Sequence, residues 1–177
     1  MGAAQGEGKG SERVVHEFPP VFDKMTSKLL ILGTMPSPAS RQDGFYYGHP
    51  RNRFWKVISS LLEADEPKTA DEKRRLLLQN GIALWDVVKS CEIAGASDLS
   101  IRSAEANDIG NLISGSGIRA IFFNGRKAMQ LYNSLCKAVD PGGKVEKICL
   151  PSTSPANAAF SLERLKEEYR VILRYLS

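Results

Sequence analysis

The stretch FYYGHPRNRFW, residues 45–55, places five aromatic rings, two arginines, a histidine and one asparagine within eleven positions. Asn52 stands just before RFWKVISSLLE, where a helix N-cap belongs, because a side-chain oxygen there can accept from the free amides of the first turn. The same amide can instead hold a ligand, and position alone leaves both roles open. Phe54 and Trp55 begin the apolar face of that helix and are assigned to the core. Phe45, Tyr46 and Tyr47 lie in a loop between two prolines and cannot all enter one core, so at least one ring is expected to face a ligand or another surface. Stacking on a nucleobase is one standard use of such a ring.

Two other stretches carry polar groups of the same kind. LPSTSPANA sets the hydroxyls of Ser152, Thr153 and Ser154 between Pro151 and Pro155, a stiff turn that could bring hydroxyls and backbone amides against a phosphate; the plainer reading is a capped turn before the last helix. Asn124 ends the run IRAIFF, where a planar ligand would lie, or else it is a turn residue before Gly125. A side-chain amide there could offer its NH2 to a carbonyl and its oxygen to a ring N–H. No Ser-His-Asp order, HExxH, Walker loop or GxGxxG occurs. Cys91, Cys136 and Cys149 are far apart and the chain has only His16 and His49, so neither a disulfide framework, nor a metal site, nor a cofactor is expected.

These stretches need a scaffold, and the apolar pattern supplies it. KLLILG, IALWDVV, IRAIFFNG and VEKICL are short apolar runs of the kind that form strands buried on both faces. Between them FWKVISSLLE, TADEKRRLLLQNG, RKAMQLYNSLC and SLERLKEEYRVILRYL have helical spacing. Alternation of strand and helix predicts an α/β fold, a three-layer αβα sandwich around a mainly parallel four-stranded sheet. Ligands bind such sheets at the carboxyl ends of the strands, and the three polar loops all fall there. The first of them, about twenty residues long, is too long for a mere connection.

The 177 residues suffice for one sizeable core, and the 25% charged and 42% hydrophobic composition is that of a globular protein. Residues 1–13 are glycine-rich and lack apolar periodicity; residues 1–23 are expected to be a disordered or weakly ordered tail and residues 24–177 a single domain. No apolar run approaches a membrane span and no secretion or myristoylation pattern opens the chain, so an intracellular monomer without membrane contact is expected. Through Ser27 there are three Lys and Arg against four Asp and Glu, so the remainder carries 21 against 16 and holds all of the net charge of +4. An excess of that size is compatible with a polyanion partner.

Taken together, GTMPS, YYGHPRNRFW, GIALWDVVKSCEIAGASDLSI, FNGRKA and LPSTSPANA resemble the uracil-DNA glycosylase superfamily, most closely its hypoxanthine-DNA (deoxyinosine) glycosylase branch. The resemblance runs from about Lys28 to the C-terminus. Mismatch-specific members carry an asparagine after the first strand where Met35 stands here, and the branch resembled places its catalytic amide instead at Asn52. The resemblance implies a monofunctional glycosylase that leaves an abasic site in double-stranded, or single-stranded, DNA containing a deaminated base. Asn52 would hold a water on its carbonyl, Phe45 would stack the base, and Asn124, Gly33, Met35 and Tyr47 would line the base pocket. Ser37, Ser152, Ser154, Asn157 and Arg126 would meet the DNA backbone. A uracil or mismatch glycosylase, and a non-catalytic nucleic-acid-binding module, are the alternatives.

Overall fold

The computed structural model describes residues 11–93, 101–136 and 145–177. Four parallel strands form the central sheet: β2 (Leu29–Gly33), β3 (Ile82–Asp86), β6 (Ala120–Asn124) and β7 (Glu146–Leu150), in the order β3-β2-β6-β7. Alternation along each strand divides the core. Leu29, Ile31, Ile82, Leu84, Ala120 and Phe122 face α2 (Phe54–Leu61), α3 (Ala70–Gln79) and α6 (Leu162–Tyr169). Leu30, Leu32, Ala83, Ile121 and Phe123 face α4 (Ile109–Ile113) and α5 (Arg126–Leu135). The result is the expected sandwich of three layers, with no water-facing side on the central strands. Phe122 and Phe123 are fully buried on opposite faces, each worth about 1.5–3 kcal/mol of transfer free energy.

Sequence periodicity did not reveal a second, antiparallel sheet of β1 (Glu12–Val15), β4 (Val88–Ile93) and β5 (Arg102–Ala106), in the order β1-β4-β5. Its segments ERVV and RSAEA are too polar and too short to stand out, and β4 runs on from IALWDVV after a single residue. The N-terminal expectation is corrected accordingly. The segment 12–22 is built into the fold rather than being a weakly ordered tail: Val14 is buried against β4, Phe18 packs on the first core, and Val21 bridges to Leu84. The AGASDLS part of the third motif and residues 1–10 lie outside the described residues.

The long loop after β2 contains its own short helix, α1 (Pro38–Asp43). Ser37 caps it by accepting from the Ser40 amide, Pro38 fits the first turn, and Gly44 ends it in the left-handed region at φ 78°. A final 3-10 turn (Arg170–Ile172) and α7 (Leu173–Leu176) close the chain.

Candidate active site

A cavity of about 640 Å³ opens at the carboxyl ends of β2, β3 and β6, within the range of small-molecule sites. Gly33, Met35, Ser37, Tyr47, Asn52, Asn124, Arg126, Ser152, Ser154 and Asn157 all line it, so ten of the eleven residues singled out from the sequence converge there.

Phe45 is the exception, and its expected stacking role is corrected. Its ring is 4% exposed, lies 6.1 Å from Trp55 and 5.4 Å from Tyr46, and is covered by the Lys73 ammonium and the Arg74 guanidinium. Two residues further on, Tyr47 reaches the cavity, with its ring stacked on Phe54 at 4.1 Å and 23°. Tyr47 achieves this with φ at 55°, a left-handed conformation that costs a non-glycine residue about 1–3 kcal/mol. The turn at Tyr47 separates the rings: Phe45 goes inward, Tyr46 is buried at the cavity's edge with its hydroxyl donating to the Pro19 carbonyl at 3.0 Å, and Tyr47 goes to the site.

Asn52 sits one residue before the N-cap Arg53, and its Oδ1 accepts from the Phe54 amide at 3.0 Å. It therefore does satisfy a first-turn amide, and that obligate donor fixes which end of the side chain is oxygen. Oδ1 also accepts from the Thr153 hydroxyl at 3.0 Å. With both lone pairs engaged, the carbonyl has no capacity to hold a water, contrary to the expected role; the NH2 is the end available to a ligand.

Thr153 is the residue that sequence reasoning undervalued. It is fully buried, and its backbone amide donates to Asn124 Oδ1 at 2.9 Å while the Asn124 NH2 donates to its hydroxyl at 3.0 Å. A directed chain results, from Asn124 Nδ2 through Thr153 Oγ1 to Asn52 Oδ1. The Tyr169 hydroxyl anchors its far end, 3.0 Å from Asn124 Oδ1 and 2.9 Å from the Pro151 carbonyl. Burial raises the Tyr169 phenol well above its ordinary range, so it stays protonated and remains a donor. Asn124 lines the cavity, but its oxygen already serves Thr153 and Tyr169. The acceptor half of the base-reading pair assigned to it is therefore taken, and the NH2 keeps one hydrogen.

The loop after β7 is gripped from the other side by Arg53. Its guanidinium donates to the carbonyls of Ser154 at 2.7 Å and Asn157 at 3.0 Å, to Thr153 at 3.3 Å, and to Phe160. The planar fork of arginine, with five N–H donors, can serve all four carbonyls at once, which the three donors of an ammonium cannot. The arginines flanking Asn52 were the available signal, although their spacing could not show which loop they reach. Ser152 and Ser154 close the loop internally, accepting from the Ser154 and Ala156 amides, and Asn157 Nδ2 donates to the Ser152 carbonyl at 2.9 Å. At Gly125, φ is 103° and an added Cβ would stand 3.1 Å from Ser152, so the bare backbone lets the two loops touch. Arg126 and Lys127 open α5 on the cavity wall, two cations at the positive end of a helix and well placed for an anion.

On the β3 side, Asp86 lines the cavity, and its Oδ2 lies 2.8 Å from His16 Nε2, both side chains being almost wholly buried. Neither was anticipated, since His16 belongs to the expected tail and Asp86 reads as the end of an apolar strand. Among the described residues, no group of three metal-ligating side chains occurs, and no helix is long and apolar enough to cross a membrane.

The family model for the uracil DNA glycosylase superfamily matches residues 19–177. The chain is 38% identical over 160 residues to a hypoxanthine DNA glycosylase of Methanosarcina acetivorans, covering 89% of this chain and 97% of that protein. It is 36% identical over 142 residues to a hypoxanthine DNA glycosylase of Methanosarcina barkeri, covering 79% of this chain and 86% of that one. Among solved structures, a solution NMR structure of a Methanosarcina acetivorans protein described as a candidate uracil DNA glycosylase superposes with a TM-score of 0.75 at 36% identity, covering 91% of this chain and 97% of that chain.

Proposed function

Because this chain belongs to the uracil DNA glycosylase superfamily, we propose that it is a monofunctional DNA glycosylase that flips a deaminated base, hypoxanthine first of all, into the cavity and hydrolyses its glycosidic bond. The observation that carries the reading is Asn52 on the cavity wall, its oxygen pinned by Phe54 and Thr153 and its NH2 left for a ligand. An amide has no accessible proton equilibrium near neutral pH and cannot act as general base. Its NH2 can donate to a water oxygen and place that water against the anomeric carbon, which is positioning rather than activation. The barrier is then lowered mainly by a dissociative path, in which the sugar becomes oxocarbenium-like and hydrogen bonds to the leaving purine help it depart. Lys127 on the cavity wall is assigned to the phosphates rather than to a Schiff base, so the product is an abasic site in an uncut strand.

Tyr47 is the ring proposed to stack the flipped base, supported by its place on the cavity wall and its Phe54 backing. Arg126 and the Ser152–Asn157 loop are proposed to meet the phosphates, Met35 to fill apolar space, and a monomer to suffice for activity inside the cell. Single-turnover incubation with duplexes containing I:T, I:C, U:G and A:T tests the reading. Free hypoxanthine should be released, with strand breaks appearing only after alkali. Breaks without alkali would replace the hydrolytic step by a lyase, release of uracil alone would move the chain to the uracil branch, and binding without release would make it a binding module.

A further inference from the structure

Recognition of a base that shows a carbonyl beside a ring N–H requires one donor and one acceptor. Asn124 retains an N–H for the carbonyl, but its oxygen is spent on Thr153 and Tyr169. An acceptor therefore has to come from elsewhere. Asp86 stands at the end of β3 in register with Gly33, and Asn124 ends β6 on the other side of β2, so the three form a row across the strand ends. Gly33 in the middle has no side chain, and the space is already used: a Cβ there would stand 2.3 Å from Asp86 Oδ1 and 2.9 Å from the Tyr47 hydroxyl. Asp86 Oδ1 thus lies over Gly33, the middle position of that row. Among the described residues, its Oδ2 is hydrogen-bonded to His16, delivered by the N-terminal segment that also forms β1, while Oδ1 is bonded to none of them.

Resting on the glycosylase reading above, the geometry points to Asp86 as the specificity residue of the site, its Oδ1 accepting the ring N–H of the flipped base while Asn124 donates to the adjacent carbonyl. His16 is then a positioning residue, whose Nε2–H holds the carboxylate in that attitude. Adenine is rejected at both points, since its bare ring nitrogen meets a carboxylate oxygen and its amino group meets the Asn124 NH2.

Replacing Asp86 by Asn tests this sharply because of His16. The imidazole N–H would keep the amide oxygen, so the NH2 would be turned toward the base, opposing a ring N–H and matching a bare ring nitrogen. Single-turnover excision of hypoxanthine by Asp86→Asn should fall at least about 10²-fold. Excision of unsubstituted purine from a deoxynebularine duplex, which has a bare nitrogen and no carbonyl, should fall far less. In His16→Phe/Asp86→Asn the amide is free to turn, and part of the hypoxanthine rate should return. His16→Phe alone should lower the hypoxanthine rate while leaving duplex binding in place. Equal losses on hypoxanthine and purine duplexes, or no recovery in the folded double variant, would reduce Asp86 to a structural role and overturn the inference. Parent protein run alongside separates the two levels: release by the parent with unchanged selectivity in the variants sinks only the role of Asp86, whereas a parent that releases no base sinks the glycosylase reading and this inference together.

Discussion

At the scale of single residues, the site depends on one threonine for its alignment. Thr153→Val keeps the shape but removes the hydroxyl between Asn124 and Asn52, leaving the buried Asn124 NH2 without its acceptor at about 1–3 kcal/mol and Asn52 Oδ1 with the Phe54 amide alone. The expected outcome is a single-turnover rate down about 10²-fold, approaching that of Asn52→Ala, with Met35→Ala much milder than either. Rates within threefold of the parent in folded Thr153→Val would break the link between the chain of hydrogen bonds and catalysis. Tyr47 permits a cleaner measurement, because Tyr47→Ala and Tyr47→Gly both lose the ring and differ only in backbone freedom. At φ 55° glycine should be the more stable of the two by about 1 kcal/mol in denaturant melts, the reverse of the usual order. These particular residues show what the sequence could disclose. Asn52, Asn124 and the serines were legible as types in the right loops, whereas the division of Phe45 from Tyr47 depends on one left-handed residue, and the spent oxygens of Asn52 and Asn124 depend on partners 101 and 29 residues away.

At the scale of elements, helices and loops contribute differently to stability and to rate. The α3 helix opens with a capping box in which Thr69 accepts from the Glu72 amide and Glu72 reaches back to the Thr69 amide, and neither residue lines the cavity. Thr69→Ala should cost about 1 kcal/mol, or about 2–4 °C in Tm, with an unchanged excision rate. Arg53→Lys should do the opposite, with a modest change in Tm but a marked loss of rate, because an ammonium cannot serve the four carbonyls that fix the loop carrying Thr153. If the two variants lose rate in proportion to stability, the loop is not held by Arg53 in any way that matters for chemistry. The four parallel strands and their flanking helices were readable because burial on both faces leaves continuous apolar runs. The small antiparallel sheet was not, since β1 and β5 show mixed polar faces and β4 shares its apolar start with β3.

At the scale of the whole molecule, the net charge of +4 lies in the folded part and two cations line the cavity. Affinity for duplex should fall linearly on a log–log plot as salt rises, and Arg126→Ala should weaken binding to every sequence alike and lower the slope by about one. A slope unaffected by Arg126→Ala would move the phosphate contacts elsewhere. The molecule's wiring has a further consequence. His16 meets Asp86 across 70 residues, Asn52 meets Thr153 across 101, and Asn124 meets Tyr169 across 45, all on a parallel sheet whose pairings are themselves non-local. Contacts of that separation form late and slowly, after much loop-closure entropy has been spent. No fragment ending before Tyr169 holds the full network, so during synthesis the nascent chain has no assembled site until all of α6 has emerged, and regained excision in a refolding experiment should report a late folding event rather than an early one.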